Sequence, residues 1–126
     1  MELTELNVRT GQVVDAALRV HSALGPSLLE SAYEACLAYE LRKRGLHVRT
    51  QEPVSITYED VRIDLAYRVD LVVDDVVLVE LKAVSRLLPI HETQLLSYLR
   101  LGKFPVGLLL NFHELHMKDG IKRLIN

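Results

Sequence analysis

The chain of 126 residues is 49% hydrophobic and 25% charged, which suits one domain with one core and excludes a disordered or fibrous protein. A formal net charge of -2 excludes binding nucleic acid by bulk positive charge, but not an acidic metal site that acts on nucleic acid once a cation is bound. The lone cysteine, Cys36, excludes a disulfide framework or zinc cluster; no apolar run reads as a signal peptide or membrane span, so the expected location is cytoplasmic.

Residues 4 to 24 carry an apolar stripe at the helical period: Val13, Ala16, Ala17, Val20, Ala23 and Leu24. Gly11 weakens the start, which places the regular helix from about Thr10. His21 reads as a boundary residue with an ordinary hydrogen bond, or less simply as a ligand. Gly25-Pro26 ends this helix. Ser27 followed by Glu30 is a capping-box pattern and opens a second helix. Its apolar surface includes Leu28, Ala32, Cys36 and Leu41, and packing is the expected role of Cys36. Arg42, Lys43 and Arg44 suit the last turn, and Gly45 suits the position after it. Locally, capping explains Glu30 without any catalytic role.

From His47 to Arg68 the period falls to two, which marks strands. Pro53 indicates an edge or irregular strand, and Glu59-Asp60 a turn. Tyr67 to Lys82 reads YRVDLVVDDVVLVELK, two apolar runs around Asp74-Asp75, and predicts an antiparallel hairpin. If Asp70 faces Glu80, then Val69, Leu71, Val73, Val77, Val79 and Leu81 share an apolar face. Asp70, Glu80 and Lys82 then gather on the other. Two carboxylates on adjacent strands can hold Mg²⁺ or Mn²⁺ through oxygen, and Lys82 can stabilise charge developing on a phosphate. The plainer alternative is a solvated hairpin face with a cross-strand ion pair. Asp64 is a second acid, ranked below Asp70.

Ala83 to Ile90 is expected to form a linker or brief turn. Residues 91 to 101, HETQLLSYLRL, form a helix that Gly102 ends. Gln94 and Tyr98 share one side of it. They read as a boundary amide and phenol, or as a polar face turned toward the acids. Phe104 to Asn111 is an apolar strand covered on both faces. His113 to Gly120 is a polar loop, and Ile121 to Ile125 a final short strand.

Taken together, VHSALGPSLLESAYEACLAYEL, YRVDLVV, VELKAV, HETQLLSYL and GLLLNF resemble the bacterial and archaeal GxxExxY proteins of the PD-(D/E)xK nuclease-like superfamily. The resemblance spans nearly the whole chain, residues 1-126, and implies a single restriction-endonuclease-like α+β domain. Its mixed central sheet would have an antiparallel hairpin at the core and helices on both sides. It further implies metal-dependent phosphodiester hydrolysis in DNA or RNA. Asp70 and Glu80 would hold the cation, with the Leu81 carbonyl and Glu30. Lys82 would complete the ExK element, while Gln94 and Tyr98 match a substrate-positioning QxxxY element. Against the local reading, the resemblance predicts that the Glu30 carboxylate points toward Asp70. Ser27 stands where the family name has glycine, and Val69 where the superfamily signature has proline. An inactive nucleic-acid-binding module and a protein-interaction or regulatory module are the alternatives. The expected partners are nucleic acid and a second copy or another protein, with no membrane.

Overall fold

The computed structural model describes residues 1–126, apart from the side chains of residues 65 and 66. The described residues form a five-stranded mixed sheet in the order β1-β2-β3-β4-β5. The strands are β1 (Val48–Tyr58), β2 (Val61–Val73), β3 (Val77–Lys82), β4 (Val106–Asn111) and β5 (Ile121–Ile125). β1, β2 and β3 pair antiparallel, β4 runs parallel to β3, and β5 returns antiparallel to β4. The helices are α1 (Leu3–Leu24), α2 (Glu30–Lys43) and α3 (Pro89–Gly102), the last forming the crossover between the parallel strands.

Two apolar layers hold the helices to the sheet. Val13, Ala17, Leu37 and Leu41 of α1 and α2 join Leu71, Val73, Val77, Val79 and Leu81 in one buried cluster. On the opposite face, Leu95 and Leu99 of α3 pack with Val72, Leu78 and Leu109. β4 is buried on both faces, as its continuous apolar sequence predicts. Gly107 lets α3 approach closely: a Cβ there would lie 3.1 Å from the Leu99 side chain and 3.2 Å from Leu95. The architecture is the expected α+β arrangement of a mixed sheet with helices on both sides.

The helix boundaries differ from those read from the sequence. α1 begins at Leu3 rather than near Thr10, because burial of Leu6, Thr10 and Val13 outweighs the roughly 1 kcal/mol that Gly11 costs a helix interior. α2 begins at Glu30, with Leu29 as its N-cap and no side-chain cap, so the Ser27–Glu30 capping box does not form. Tyr33 organises that entry instead. Its ring stacks on Phe112 with centroids 4.5 Å apart, its hydroxyl accepts the Leu28 N–H at 3.0 Å, and it donates to the Gly25 carbonyl. These bonds hold residues 25–28 as a bent, non-helical connection instead of a first helical turn. α3 starts at Pro89, which needs no N–H at that position, and takes in Gly102; Lys103 ends it with φ 60°.

Pairing of β2 and β3 follows the predicted register, with Leu71 opposite Val79, Val72 opposite Leu78 and Val73 opposite Val77. One expectation fails at its outer end. Val69 leaves the layer of Leu71 and Val73 and packs with Val72 and Leu78 under α3. The strict alternation of β2 therefore breaks at Asp70. The break has a counterpart on β1, where Gln51 takes φ 49° and the pairing skips from Thr50–Leu71 to Glu52–Val69.

Candidate active site at the end of the β2–β3 hairpin

Where the β2–β3 ladder stops, side chains replace the missing backbone partners. The Asp70 N–H donates to Glu80 Oε1 at 3.1 Å, and the Leu81 N–H donates to Asp70 Oδ2 at 2.8 Å. Each acid is seated on the other strand's backbone, so neither backbone donor is orphaned. The hairpin turn is fixed as well. Asp74 and Asp75 take positive φ, the Asp74 N–H donates to the His47 carbonyl at 2.8 Å, and the His47 N–H donates to Asp74 Oδ1 at 2.8 Å. The register that gathers the acids is thus held at both ends.

The strand exit is pinned from β4. Asn111, fully buried, accepts the Val84 N–H at 3.1 Å and donates to the Val84 carbonyl at 2.9 Å. The Phe112 N–H donates to the Lys82 carbonyl at 2.9 Å. These bonds fix the backbone that carries half-buried Lys82 beyond Glu80.

Glu30, in the first turn of α2, lines an open cavity of about 480 Å³ with Ser31, Glu34, Gln51, Asp70 and Leu81. Burial, then Asp70, raises the Glu30 carboxyl above its ordinary range, while Lys82 and the Ala83 backbone pull it down. Burial also raises Glu34, with Asp70 and Glu30 adding to the effect and the Gln51 amide opposing it. Glu80 is pushed up to about 7, chiefly by burial and then by Asp70, against the Asp70 N–H and Lys82. The acids are brought together faster than positive charge is supplied to them.

From the α3 side, Tyr98 stacks on Tyr67 with centroids 3.9 Å apart, and the Tyr67 hydroxyl donates to the Tyr98 carbonyl at 3.1 Å. Burial raises both phenols. Tyr67 reaches about 12, with Tyr98 and Glu80 adding, and Tyr98 is raised further by Glu80 and Asp70. Tyr98 therefore senses the acids. Gln94, one turn earlier, is exposed, and among the described residues no hydrogen bond ties it to them. Asp64 is exposed and pairs with Arg62 at 2.7 Å, apart from the cluster.

The other singled-out residues have structural partners. His21 Nε2 lies 2.7 Å from the Glu114 carbonyl, and Cys36 packs against the core. Arg42 donates to the Val48 carbonyl at 2.8 Å, and Arg44 pairs with Glu40 and Asp15. This basic run is a helix C-terminus held by its neighbours.

Sequence reasoning missed Glu34, Gln51 and Asn111. Glu34 had a legible signal, one helical turn after Glu30 on the same face. Asn111 had a weaker one, a lone amide closing an apolar strand. Gln51 had none, since its position depends on a backbone irregularity.

Among the described residues, no three Asp, Glu, His or Cys side chains are already grouped closely enough to hold a metal ion. The donor chemistry nonetheless fits a hard divalent cation. Asp70, Glu80 and Glu30 offer only carboxylate oxygen; Asp70 and Glu30 line one cavity with Leu81, and Glu80 reaches Asp70 from behind that lining through the Asp70 N–H.

An acid on each of two adjacent strands, a lysine two residues on, and a mixed sheet between helices define a nuclease-like fold of the restriction-endonuclease type. The model of the PD-(D/E)XK nuclease superfamily matches residues 7–124. The chain belongs to that superfamily. No curated protein and no solved structure matches it. Nucleases of this superfamily generally use divalent metals such as Mg²⁺ or Mn²⁺. No helix among the described residues is long and apolar enough to cross a membrane.

Proposed function

We propose that the protein is a cytoplasmic Mg²⁺- or Mn²⁺-dependent nuclease of the GxxExxY group that hydrolyses phosphodiester bonds in DNA or RNA. The observation that carries this reading is the meeting of Asp70 and Glu80 at the hairpin end, each held by the other's strand. In it, Asp70, Glu80 and the Leu81 carbonyl hold the cation, and Glu30 contributes from α2. When bound, the cation lowers the pKa of a water and offsets charge on the phosphate. Lys82 donates to a phosphate oxygen as negative charge builds there and helps place the attacking water. Gln94 and Tyr98 orient the nucleic acid from α3. The domain offers little surface beyond its core, so a second copy or another protein would share the grip on a duplex.

A second reading, an inactive module that binds nucleic acid or protein, has one observation in its favour. Both Asp70 oxygens already accept hydrogen bonds, Oδ1 from Gln51 and Oδ2 from Leu81. Calorimetric Mg²⁺ and Mn²⁺ titration, run beside cleavage assays on single- and double-stranded DNA and RNA, separates the two. Cation binding with cleavage that Asp70→Ala abolishes supports the nuclease. Binding without cleavage on any substrate favours the inactive module, and no binding by the folded wild type ends the metal-dependent reading.

A further inference from the structure

Five non-glycine residues among those described have positive φ: Gln51, Glu59, Asp74, Asp75 and Lys103. Lys103 ends a helix, and Glu59, Asp74 and Asp75 sit in turns. Gln51 alone lies within a strand, on the edge strand β1, where a left-handed backbone interrupts pairing and is strained for any residue but glycine. The interruption falls opposite Asp70, between the pairs Thr50–Leu71 and Glu52–Val69.

That strained backbone delivers an amide to two acids. Gln51 Nε2 lies 3.1 Å from Asp70 Oδ1 and 2.5 Å from Glu34 Oε1. Both neighbours accept hydrogen bonds, so the NH₂ group must be the one that faces them, and its two hydrogens suffice for two acceptors. The Leu81 N–H holds the other Asp70 oxygen, so the carboxylate is fixed from two strands at once. Glu34 stands one turn from Glu30 and lines the same cavity.

An amide suits this place better than a cationic side chain. A lysine or arginine would neutralise Asp70 permanently and compete with an incoming cation. A neutral amide fixes the carboxylate rotamer and leaves its charge available. We propose that Gln51, anchored by Glu34, is a positioning residue that holds Asp70 ready for a divalent cation. This rests on the reading that Asp70 is a cation ligand. Glu34 then acts as the anchor of the amide and supplies no oxygen to the cation.

The test uses the whole chain, with Mn²⁺ and Mg²⁺ as probes, in calorimetric titration alongside thermal unfolding without metal. Gln51→Gly removes the amide and relieves the left-handed strain. It is expected to weaken cation binding by about tenfold, the scale of lost outer-shell partners, without lowering the melting temperature. Glu34→Gln keeps an oxygen that accepts from Gln51 and should retain most of the affinity. Wild-type affinity in Gln51→Gly overturns the proposal while leaving the nuclease reading intact. A melting temperature that falls along with affinity assigns Gln51 a structural role and overturns it too. If Glu34→Gln loses as much affinity as Asp70→Ala, Glu34 is a ligand and the anchor role is wrong. Absence of cation binding by the wild type overturns both this proposal and the reading on which it rests.

Discussion

Replacing Glu80 by glutamine should make the metal-free protein more stable at neutral pH. Glutamine keeps the shape of the side chain and an oxygen for the Asp70 N–H, but cannot ionise. In the folded protein the Glu80 carboxyl is raised from 4.5 to about 7, first by burial and then by Asp70. The folded state therefore binds this proton more tightly than the unfolded chain does. Its contribution to stability is fully present below about 4.5 and is lost as pH rises through about 7. At about 1.36 kcal/mol per pH unit, the loss reaches roughly 3 kcal/mol. Urea unfolding of both proteins from pH 4 to 8, without divalent metal, measures it. Reading the difference between the two curves cancels Glu40 and Asp75, whose lowered carboxyls contribute above their unfolded range and fade only as pH falls through their folded values. The variant should gain on the wild type steadily between pH 4.5 and 7. Saturating Mg²⁺ at pH 8 should then stabilise the wild type and leave Glu80→Gln nearly unmoved. Parallel curves across the whole range would refute the claim that Glu80 is a desolvated acid beside a second one.

Lys82→Ala should lower cleavage by about 100-fold while calorimetry still shows cation binding, because an ammonium stabilises charge but donates no metal ligand. Asp70→Ala should reduce both. Tyr33→Phe keeps the stack on Phe112 but strips the Leu28 N–H and Gly25 carbonyl of their partner; denaturant unfolding should show a loss of about 1–2 kcal/mol. Asn111→Ala leaves both polar groups of Val84 unpaired beside the strand exit; a loss of about 2–3 kcal/mol is expected, with weaker activity in the fraction that stays folded.

The hairpin was legible because burial dictated it. Pairing Asp70 with Glu80 puts Leu71, Val73, Val77 and Val79 together on the face that packs against α1 and α2, and slipping one strand by one residue would split that set. β4 was equally plain, since a strand apolar on both faces has to be covered on both. The entry to α2 was not legible. A local capping pattern at Ser27 and Glu30 lost to Tyr33, whose ring stacks on Phe112, a residue far along the chain in the turn just after β4. The break in β2 at Asp70 escaped for a related reason. Period-two reasoning assumes an even pleat, and the displacement of Val69 into the α3 layer coincides with an irregularity on another strand, at Gln51. The resemblance placed Glu30 near Asp70 where local pattern would not have, while Glu34 went unnoticed beside it.

The reciprocal seating of Asp70 and Glu80 bears on how such a domain would change over evolutionary time. Losing either acid removes an acceptor from a backbone N–H at the heart of the sheet, whatever becomes of catalysis. A descendant released from any need to cut would still be under pressure to keep an acceptor oxygen at both positions; position 80 could pass to glutamine, which keeps that oxygen and sheds the buried charge, but not to an apolar side chain. Lys82 carries no such second duty: among the described residues its side chain makes no hydrogen bond or ion pair. In a lineage drifting away from hydrolysis, position 82 would be the one of the three open to any side chain, apolar ones included.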